Sequence, residues 1–308
     1  MTVEIGIQQP FDAAVVIVTL LRPSLPQAVR SVYAQQGAGR VQVVLAVDGR
    51  ADTSGMLPML RAECPSHMHL TVIDTGYSLS VRNGSLYPTR SGGSLRTAAS
   101  YLANSRHVAY LDDDNWWAPD HLEGLLAAIP QKSFAFSLRK FVDDKTDTVL
   151  CNDDWASVGP GRGIYNMRFG GFVDPGCLMV DKLACHEALP AWSMARFIAG
   201  RGDDRMLFER IRNLPCGASG RYSAFYRVRL DELEPQELWK LKQAGVDLSG
   251  LLPADKLPST EEFAQLERKE REFEEAQALL RKPAGHGTQG APAVRLTSAQ
   301  FTLKIPTR

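Results

Sequence analysis

Short apolar runs alternate with amphipathic stretches through the first half of the chain. Four of these runs have the length and β-branched composition of buried strands: Ala13–Thr19, Val41–Val47, His69–Ile73 and His107–Leu111. Helical spacing follows the first run, where Ala28, Val29 and Val32 share one face, and recurs over 94–104. Because strands that alternate with helices favour a parallel sheet with helices on both faces, the pattern predicts an α/β fold.

The pattern changes in the second half. Phe134–Val142 and Thr148–Cys151 are separated by a short polar turn and predict a hairpin. Three more elements are predicted: a strand over Phe172–Val180, a helix over Arg205–Arg212 and a strand over Arg221–Leu230. The second half is therefore predicted to be a mixed α and β region that packs against the first half.

A polar segment with helical character begins near Asp231. Ser259 and Glu262 have the spacing of a capping box, and Leu266, Phe273 and Leu280 recur at seven-residue intervals in the helix that follows. This narrow stripe would pack on the main domain or on a partner helix, and the second case would make the protein a homo-oligomer. The predicted organisation is a main domain over 1–230 with halves over about 13–118 and 119–230, a helical extension over 231–282 and a flexible tail over 283–308.

Charge and cysteine content argue against several classes of protein. The sequence has 35 basic and 35 acidic residues, so its net charge favours neither a nucleic acid nor a membrane surface as a partner. Its five cysteines include no C-x-x-C pair, which argues against a disulfide framework and a structural zinc site. The most apolar early run, Ala13–Leu21, is too short to cross a bilayer. We therefore expect a cytoplasmic protein without a membrane span.

The clearest chemical signal is an acidic run at the end of a predicted strand. Asp112, Asp113 and Asp114 follow the apolar run that ends at Leu111. Open α/β sheets bind ligands at the carboxyl ends of their strands. Adjacent carboxylates repel one another unless a cation lies among them, and hard divalent ions are commonly shared by one or two carboxylates and a diphosphate. We interpret the run as a platform for a metal-bound diphosphate, in preference to a solvated turn that caps the next helix.

A second acidic pair, Asp203 and Asp204, opens a predicted helix. The helix dipole and the free N–H groups favour an ionised carboxylate at this position. An ionised carboxylate suits a base that takes a proton from a sugar hydroxyl. Simple helix capping is the competing interpretation of the pair.

Three more polar residues stand where a nucleotide could bind. Thr19 ends the first strand, Asp48 follows the second, and Arg96 lies on the helix before the acidic run. An aspartate can accept a hydrogen bond from a base N–H and an arginine can stack on the base, although each residue could instead be an ordinary surface group. No GxGxxG follows a strand, and GxxxxGK[ST], GxSxG and HExxH do not occur, which argues against the chemistries those motifs serve.

Together these stretches resemble the inverting family 2 glycosyltransferases, which have the GT-A fold. The resemblance covers about residues 13–230 and is most specific at "RTAASYLANSRHVAYLDDDNWWAPDHL", which is similar to the Arg-bearing helix, apolar strand and DXD region of that family, including the Asp-Asp-Asn of its spore-coat transferase branch. "VQVVLAVDGRAD" resembles the nucleotide-binding second strand, and "GDDRMLFERI" resembles the Glu-Asp motif with its helix. The fold implied is a mainly parallel central sheet with helices on both faces and a C-terminal helical extension.

The resemblance implies how the donor would be held. The residues implied for the nucleotide are Thr19, Asp48, Arg96 and Asp113. Asp113 would touch the ribose or assist the metal, while Asp114 and Asp112 would bind Mn²⁺ or Mg²⁺ at the diphosphate. The implied donor is a UDP-, GDP- or TDP-linked sugar, and the implied acceptor is a carbohydrate or another hydroxyl compound.

The resemblance also implies the residues of the transfer step. Asp204 corresponds to the catalytic carboxylate of the Glu-Asp motif, and Asp203 takes the Glu position, so either residue is a candidate for the base. Trp116 and Trp117 are candidates for sugar or acceptor contact, or for the core. The implied activity is a metal-dependent, inverting transfer of a sugar to an acceptor hydroxyl.

Two other functions stay open at this point. A non-catalytic subunit that binds nucleotide sugars or glycans would keep the same pocket without turnover. A sugar-nucleotide pyrophosphorylase shares the fold, but its Gly-rich phosphate loop is not supplied by "TLLRPSLPQ". Substitution of Asp204 would separate a transferase from a binder, because only the transferase has turnover to lose.

Overall fold

The central strands are covered on both faces, as their largely apolar sequences predict. The structure, a computed structural model, describes residues 9–49, 52, 54–90, 92–197 and 200–268. Every residue of β1 (Ala13–Thr19) and β2 (Val41–Val47) is buried. Since successive side chains of a strand point to opposite faces, complete burial requires packing on both.

The other elements alternate along the chain. In chain order they are α1 (Leu25–Tyr33), α2 (Met56–Ala62), β3 (Met68–Asp74), α3 (Gly93–Leu102), β4 (His107–Asp112), β5 (Trp116–Trp117), α4 (His121–Ala128), β6 (Phe134–Asp143), β7 (Val149–Asn152), β8 (Gly159–Pro160), α5 (Asn166–Phe169), β9 (Gly171–Phe172), β10 (Leu178–Asp181), α6 (Asp203–Ile211), β11 (Cys216–Val228) and α7 (Pro235–Gln243). The predicted first and second strands coincide with β1 and β2 in their bounds.

The main sheet has the strand order β3-β2-β1-β4-β10-β6-β11-β5, and β7 pairs with β6. Strands β3, β2, β1 and β4 are parallel, as are β6 and β11. Strand β10 joins these two parallel groups and runs antiparallel to both β4 and β6. Strands β5 and β7 are also antiparallel to their partners. The predicted mainly parallel α/β sheet is confirmed, with antiparallel strands in its second half.

The prediction of one continuous strand over Phe172–Val180 is wrong. Strand β9 ends at Phe172, a 3₁₀ turn occupies Pro175–Cys177, and β10 begins at Leu178. The Asp174 carboxylate accepts a hydrogen bond from Gly176 N, 2.9 Å away, and Pro175 has no N–H for a ladder. The side-chain bond and the proline together turn the chain, although its composition is apolar.

The chain divides into two compact units, Met1–Pro258 and Ser259–Arg308. Helix α7 belongs to the first unit and buries Leu238, Trp239 and Leu241. In the second unit, the predicted capping box is confirmed, because Ser259 N donates to Glu262 Oε2 and Glu262 N donates to Ser259 Oγ. Phe273, Leu280 and the predicted tail over 283–308 lie outside the described residues, and the domain boundaries at 230 and 282 stay predictions. Within the described ranges no helix is both long and apolar enough to cross a membrane.

Candidate active site

The parallel strands bring the predicted nucleotide residues to one edge of the sheet. Thr19 is the last residue of β1 and pairs in register with Val47, so Asp48 follows at the same edge. Asp112 ends β4 and pairs with Val18 on the other side of β1. A cavity of about 470 Å³ opens there, and its lining includes Thr19, Asp48, Arg96, Asp112, Asp113 and Asp114. The structure therefore brings the predicted nucleotide and metal residues together.

Asp113 is fixed to the end of β1. Its Oδ2 accepts hydrogen bonds from Thr19 Oγ1 at 2.7 Å and from Leu20 N at 3.3 Å. Only 5% of Asp113 is exposed, and burial raises the pKa of its carboxyl. One oxygen of the carboxylate is thus hydrogen-bonded to the end of β1, and the other faces an arginine of the loop that follows β1.

That arginine is Arg22, which sequence reasoning missed. Its Nη1 lies 2.8 Å from Asp114 Oδ2 and 3.5 Å from Asp113 Oδ1. Burial and the neighbouring carboxylates of Asp112 and Asp113 raise the pKa of Asp114 to about 6, although Arg22 opposes the shift. Arg22 could have been found from its position three residues after Thr19, because the loops that follow parallel strands surround the same crevice.

Arg96 connects the acidic run to the second acidic pair. It is 4% exposed, its Nη2 donates to Asp112 Oδ1 at 2.7 Å, and its Nη1 lies 3.4 Å from Asp203 Oδ2. The guanidinium also lies over the ring of Trp192, 4.7 Å from the centroid. The buried arginine holds carboxylates that are far apart in the sequence on either side of one cation.

Asp203 and Asp204 begin α6 as predicted, but they have different surroundings. Asp203 is 5% exposed and faces Arg96, whereas Asp204 is partly exposed and accepts a hydrogen bond from Arg205 N at 2.7 Å. Burial raises the pKa of Asp203 to about 6 and also raises the pKa of Asp204. Burial thus opposes the helix-terminus effect on which the sequence argument relied. The second oxygen of Asp204 has no hydrogen-bond partner among the described residues, which leaves it available to a ligand.

The close approach of α3 to this pair depends on Gly93. A Cβ at Gly93 would collide with the carbonyl oxygen of Trp192 and lie 2.8 Å from Asp203 Oδ2. We expect Gly93→Ala to lower the free energy of unfolding by about 1–3 kcal/mol, the usual cost of overpacking, measured by urea denaturation. Gly250→Ala is the matched control, because the nearest atom to its Cβ would be 3.7 Å away. Equal stability of the two variants would contradict the role of Gly93.

The two predicted tryptophans differ in environment. Trp117 is 3% exposed, donates from Nε1 to Gly176 O at 2.7 Å and stacks on His121. It is a core residue, and the alternative of a sugar contact is not compatible with this burial. Trp116 is partly exposed, stacks on Phe225 and lies under the Arg227 guanidinium. Neither tryptophan is part of the cavity lining.

Whether the site can bind a divalent cation depends on the oxygen atoms that its residues provide. Within the described residues, no group of three or more His, Cys, Asp or Glu side chains is arranged to hold a metal ion by itself. A cation shared with a substrate diphosphate needs only one or two protein carboxylates. The pKa of Asp114 is raised first by burial and then by the neighbouring carboxylates of Asp112 and Asp113, and a cation would relieve the repulsion among these carboxylates. The donor set therefore fits Mg²⁺ or Mn²⁺ in the shared form.

Comparison with known proteins identifies the fold. No protein-family model and no curated protein matches the sequence. The chain is similar to the crystal structure of S. aureus TarS 1-349 in complex with UDP-GlcNAc, with a TM-score of 0.50, 14% identity and coverage of 74% of this chain and 64% of that chain. For TarS 1-349 in complex with UDP the values are 0.50, 13%, 75% and 63%, and for TarS 1-349 alone 0.51, 13%, 88% and 75%.

At this level of sequence identity, the similarity to TarS supports a shared fold and does not establish a shared function. It confirms the GT-A α/β fold that the sequence resemblance implies. The chain spans less than two thirds of the length of the TarS chain bound to UDP-GlcNAc. What the two proteins do is a separate question, which depends on the site.

Proposed function

We propose that this chain transfers a sugar from a nucleotide diphosphate to an acceptor hydroxyl. The observation that carries the proposal is the bridge made by Arg96, which joins Asp112 at the nucleotide edge to Asp203 beside Asp204. A donor bound along the strand ends would thus present its sugar to the second acidic pair. A GT-A fold with this arrangement supports a transferase more than it supports a protein that only binds nucleotide sugars.

The donor proposed is a UDP-sugar. TarS, which shares the fold, has been crystallised with UDP-GlcNAc and with UDP. Thr19 and Asp48 stand at the two strand ends where a uracil and its ribose would lie, and Asp113 is held there by Thr19. Arg96 lines the same cavity, but its contacts favour a positioning role in addition to any contact with the base.

The metal proposed is Mn²⁺ or Mg²⁺, held by Asp114 with Asp112. When bound, the cation would neutralise the charge that develops on the departing diphosphate. The protein holds the two carboxylates at the strand end, where Arg22 and Arg96 limit the repulsion between them. When a nucleotide sugar binds, these two arginines could also donate hydrogen bonds to the oxygens of its diphosphate.

Asp204 is the proposed base. The acceptor oxygen would attack the anomeric carbon as the bond from that carbon to the diphosphate oxygen breaks, and the hydroxyl proton would pass to Asp204. In-line attack inverts the anomeric centre. Asp204 suits this role better than Asp203 does, because Asp203 is nearly buried and faces Arg96, while one oxygen of Asp204 is unengaged. Trp116, with its partly exposed ring, stays a candidate for acceptor contact.

The other sequence-based expectations also stay predictions. They are the cytoplasmic location, self-association through the C-terminal helix, and the absence of a nucleic acid partner. The identity of the acceptor does not follow from the fold, since one fold hosts many substrates.

Ligand binding tests the proposal directly. UDP-GlcNAc with Mn²⁺ at about 100 times its Kd should raise the free energy of unfolding by about 2.7 kcal/mol, and chelation of the metal should remove most of the effect. GDP- and TDP-sugars serve as competitors in the same thermal unfolding assay. Asp48→Asn should weaken the effect, whereas Asp74→Asn should not, because Asp74 ends β3 outside the cavity. No stabilisation by any of the nucleotides would contradict the proposed donor.

A further inference from the structure

The loop between β3 and α3 carries a group of exposed apolar side chains. We call residues 77–87 the rim loop. Within it Leu86 is 90% exposed and Tyr77 is 60% exposed, and Val81 and Tyr87 are exposed as well. Single exposed apolar side chains are ordinary on a protein surface, but four within eleven residues form a patch. A patch of this kind marks a surface that contacts a partner.

The rim loop is folded back on itself by its own hydrogen bonds. Val81 N donates to Tyr87 O at 2.7 Å and Tyr87 N donates to Leu79 O at 3.1 Å, so Val81 lies close to the Leu86–Tyr87 pair. Backbone that enters a medium poor in water must satisfy its polar groups internally. Six N–H groups of the tip meet this requirement by donating within the loop, namely those of Val81, Arg82, Asn83, Gly84, Ser85 and Tyr87.

The base of the rim loop is attached beside the cavity. Leu79 N donates to Asp48 Oδ1 at 3.2 Å, and Leu79 packs against the hydrophobic core. Ser80 Oγ donates to Thr89 O at 2.7 Å, which closes the loop. Arg82, between this base and the tip, is part of the cavity lining. A surface bound by the exposed tip would therefore lie next to the cavity.

The charge of this part of the chain is one-sided, although the net charge of the sequence is zero. No residue between Asp74 and Asp112 is acidic, whereas Arg82 lies within the rim loop and Arg90 follows it. Anionic lipid headgroups attract basic side chains, and tyrosine rings suit the boundary between headgroups and acyl chains. An apolar tip with tyrosines and arginine, and without a carboxylate, has the chemistry of an interfacial membrane contact.

A protein partner fits the rim loop less well. A stable protein interface takes about 20–30 residues and about 800 Å² from each side. The rim loop has eleven residues, which is about half of that number at most. A lipid surface needs no complementary groove, because a few apolar side chains can enter it while the basic ones stay at its surface.

We propose that the rim loop is a membrane-contact site, in which Leu86 and Tyr87 enter the headgroup region of a bilayer that contains anionic lipids. Arg82 would lie at the negative surface of that bilayer. The contact is peripheral, and it is independent of the proposed transferase function because it rests on the surface of the rim loop alone. It would bring the cavity to the membrane surface.

The test is co-sedimentation of the full chain with vesicles of phosphatidylcholine alone or with about one third phosphatidylglycerol. The double replacement Leu86→Ser with Tyr87→Ser removes the apolar tip. Tyr101→Ser with Leu102→Ser is the matched control, because it removes the same two types of exposed side chain from the end of α3 that is away from the cavity. The wild type should bind the mixed vesicles more tightly than phosphatidylcholine alone, and added salt should weaken this binding.

The variants decide whether the rim loop makes the contact. The tip variant should bind the mixed vesicles on the order of tenfold or more less tightly, because two apolar side chains no longer leave water. The control should bind like the wild type. Arg82→Gln should lower affinity for the mixed vesicles about fivefold and leave binding to phosphatidylcholine unchanged.

Three outcomes would overturn the inference. They are no binding of the wild type to either vesicle, equal binding of the two double variants, and a dimer in gel filtration that only the tip replacement abolishes, since such a dimer would assign the tip to a second copy of the chain. Leu86→Ser alone guards against misfolding, because its side chain is almost fully exposed. It should weaken vesicle binding in the same direction with an unchanged midpoint of urea denaturation, and wild-type binding in this variant would also overturn the inference.

Discussion

Asp204→Asn is expected to lower the rate of sugar transfer by about 10²–10⁴-fold, the usual contribution of a general base. The amide cannot accept the acceptor proton, yet it has nearly the size and shape of the carboxylate. UDP affinity should change by less than about twofold, since the residue acts on the transfer step and does not hold the nucleotide. Turnover of UDP-GlcNAc with Mn²⁺ and calorimetric titration with UDP measure the two quantities.

Asp203→Asn is the matched comparison, because it removes the neighbouring charge from the same helix start. Asp203 faces the buried Arg96 at 3.4 Å, so its replacement leaves that cation with only Asp112. We expect this variant to lose stability as well as activity, whereas Asp204→Asn should unfold at a denaturant concentration close to that of the wild type. A larger loss of turnover in Asp203→Asn, with stability retained, would exchange the roles of the two residues. Full turnover in both variants would remove this pair from the mechanism.

The first half of the fold could be predicted because its signals are local. Strands β1 and β2 are almost entirely apolar, with Gln42 and Thr19 as the exceptions, and burial on both faces favours this composition. Once these strands are taken as parallel, their carboxyl ends must meet at one edge. Thr19, Asp48 and Asp112 therefore could be placed around one cavity without knowledge of any side-chain contact.

The connections within the site could not be predicted in this way. The pairing of Arg96 with Asp203 joins residues 107 positions apart, and no periodicity relates them. The position of Arg22 after Thr19 made it a candidate, but its contacts with Asp113 and Asp114 depend on the direction that the chain takes there, where Leu21 adopts a positive φ of 56°. Trp116 and Trp117 are adjacent in sequence, but β5 sends their side chains to opposite faces, so that one is in the core and the other is partly exposed.

A buried ion-pair network around Arg139 on β6 could not be predicted from the sequence either. Arg139 on β6 is 6% exposed, and it binds Asp153 at 2.7 Å and Asp174 at a still shorter distance. The Arg139 guanidinium lies over the Tyr226 ring, 4.1 Å from its centroid. Asp153 is fully buried and also accepts hydrogen bonds from the N–H groups of three residues that follow it: Trp155, Ala156 and Ser157. One cation thus supports two buried carboxylates that organise the chain between β7 and β10.

Arg139→Met is therefore expected to lower the free energy of unfolding at neutral pH by about 3–5 kcal/mol, because it leaves two buried carboxylates without their cation. Arg106→Met is the control, since Arg106 also binds an aspartate, Asp181, at 2.7 Å, but its side chain is 64% exposed. Asp181 is buried but keeps hydrogen bonds from Leu183 N and Ala184 N without Arg106, and the arginine itself is solvated, so this pair should contribute only about 0–1 kcal/mol. Urea denaturation of both variants against the wild type measures the difference.

The pH dependence of Arg139→Met separates lost charge compensation from lost packing. Burial already raises the pKa of Asp174 to about 6 with Arg139 present, and removal of the cation must raise it further. A carboxyl whose pKa is higher in the folded state than in the unfolded state stabilises the protein at low pH, and the contribution is lost as the pH rises through the folded-state pKa. The variant should therefore fall short of the wild type by less at pH 5 than at pH 8. A deficit that is the same at both pH values would mean that the methionine costs stability through its packing against Tyr226, and that the two carboxylates do not depend on the charge of Arg139.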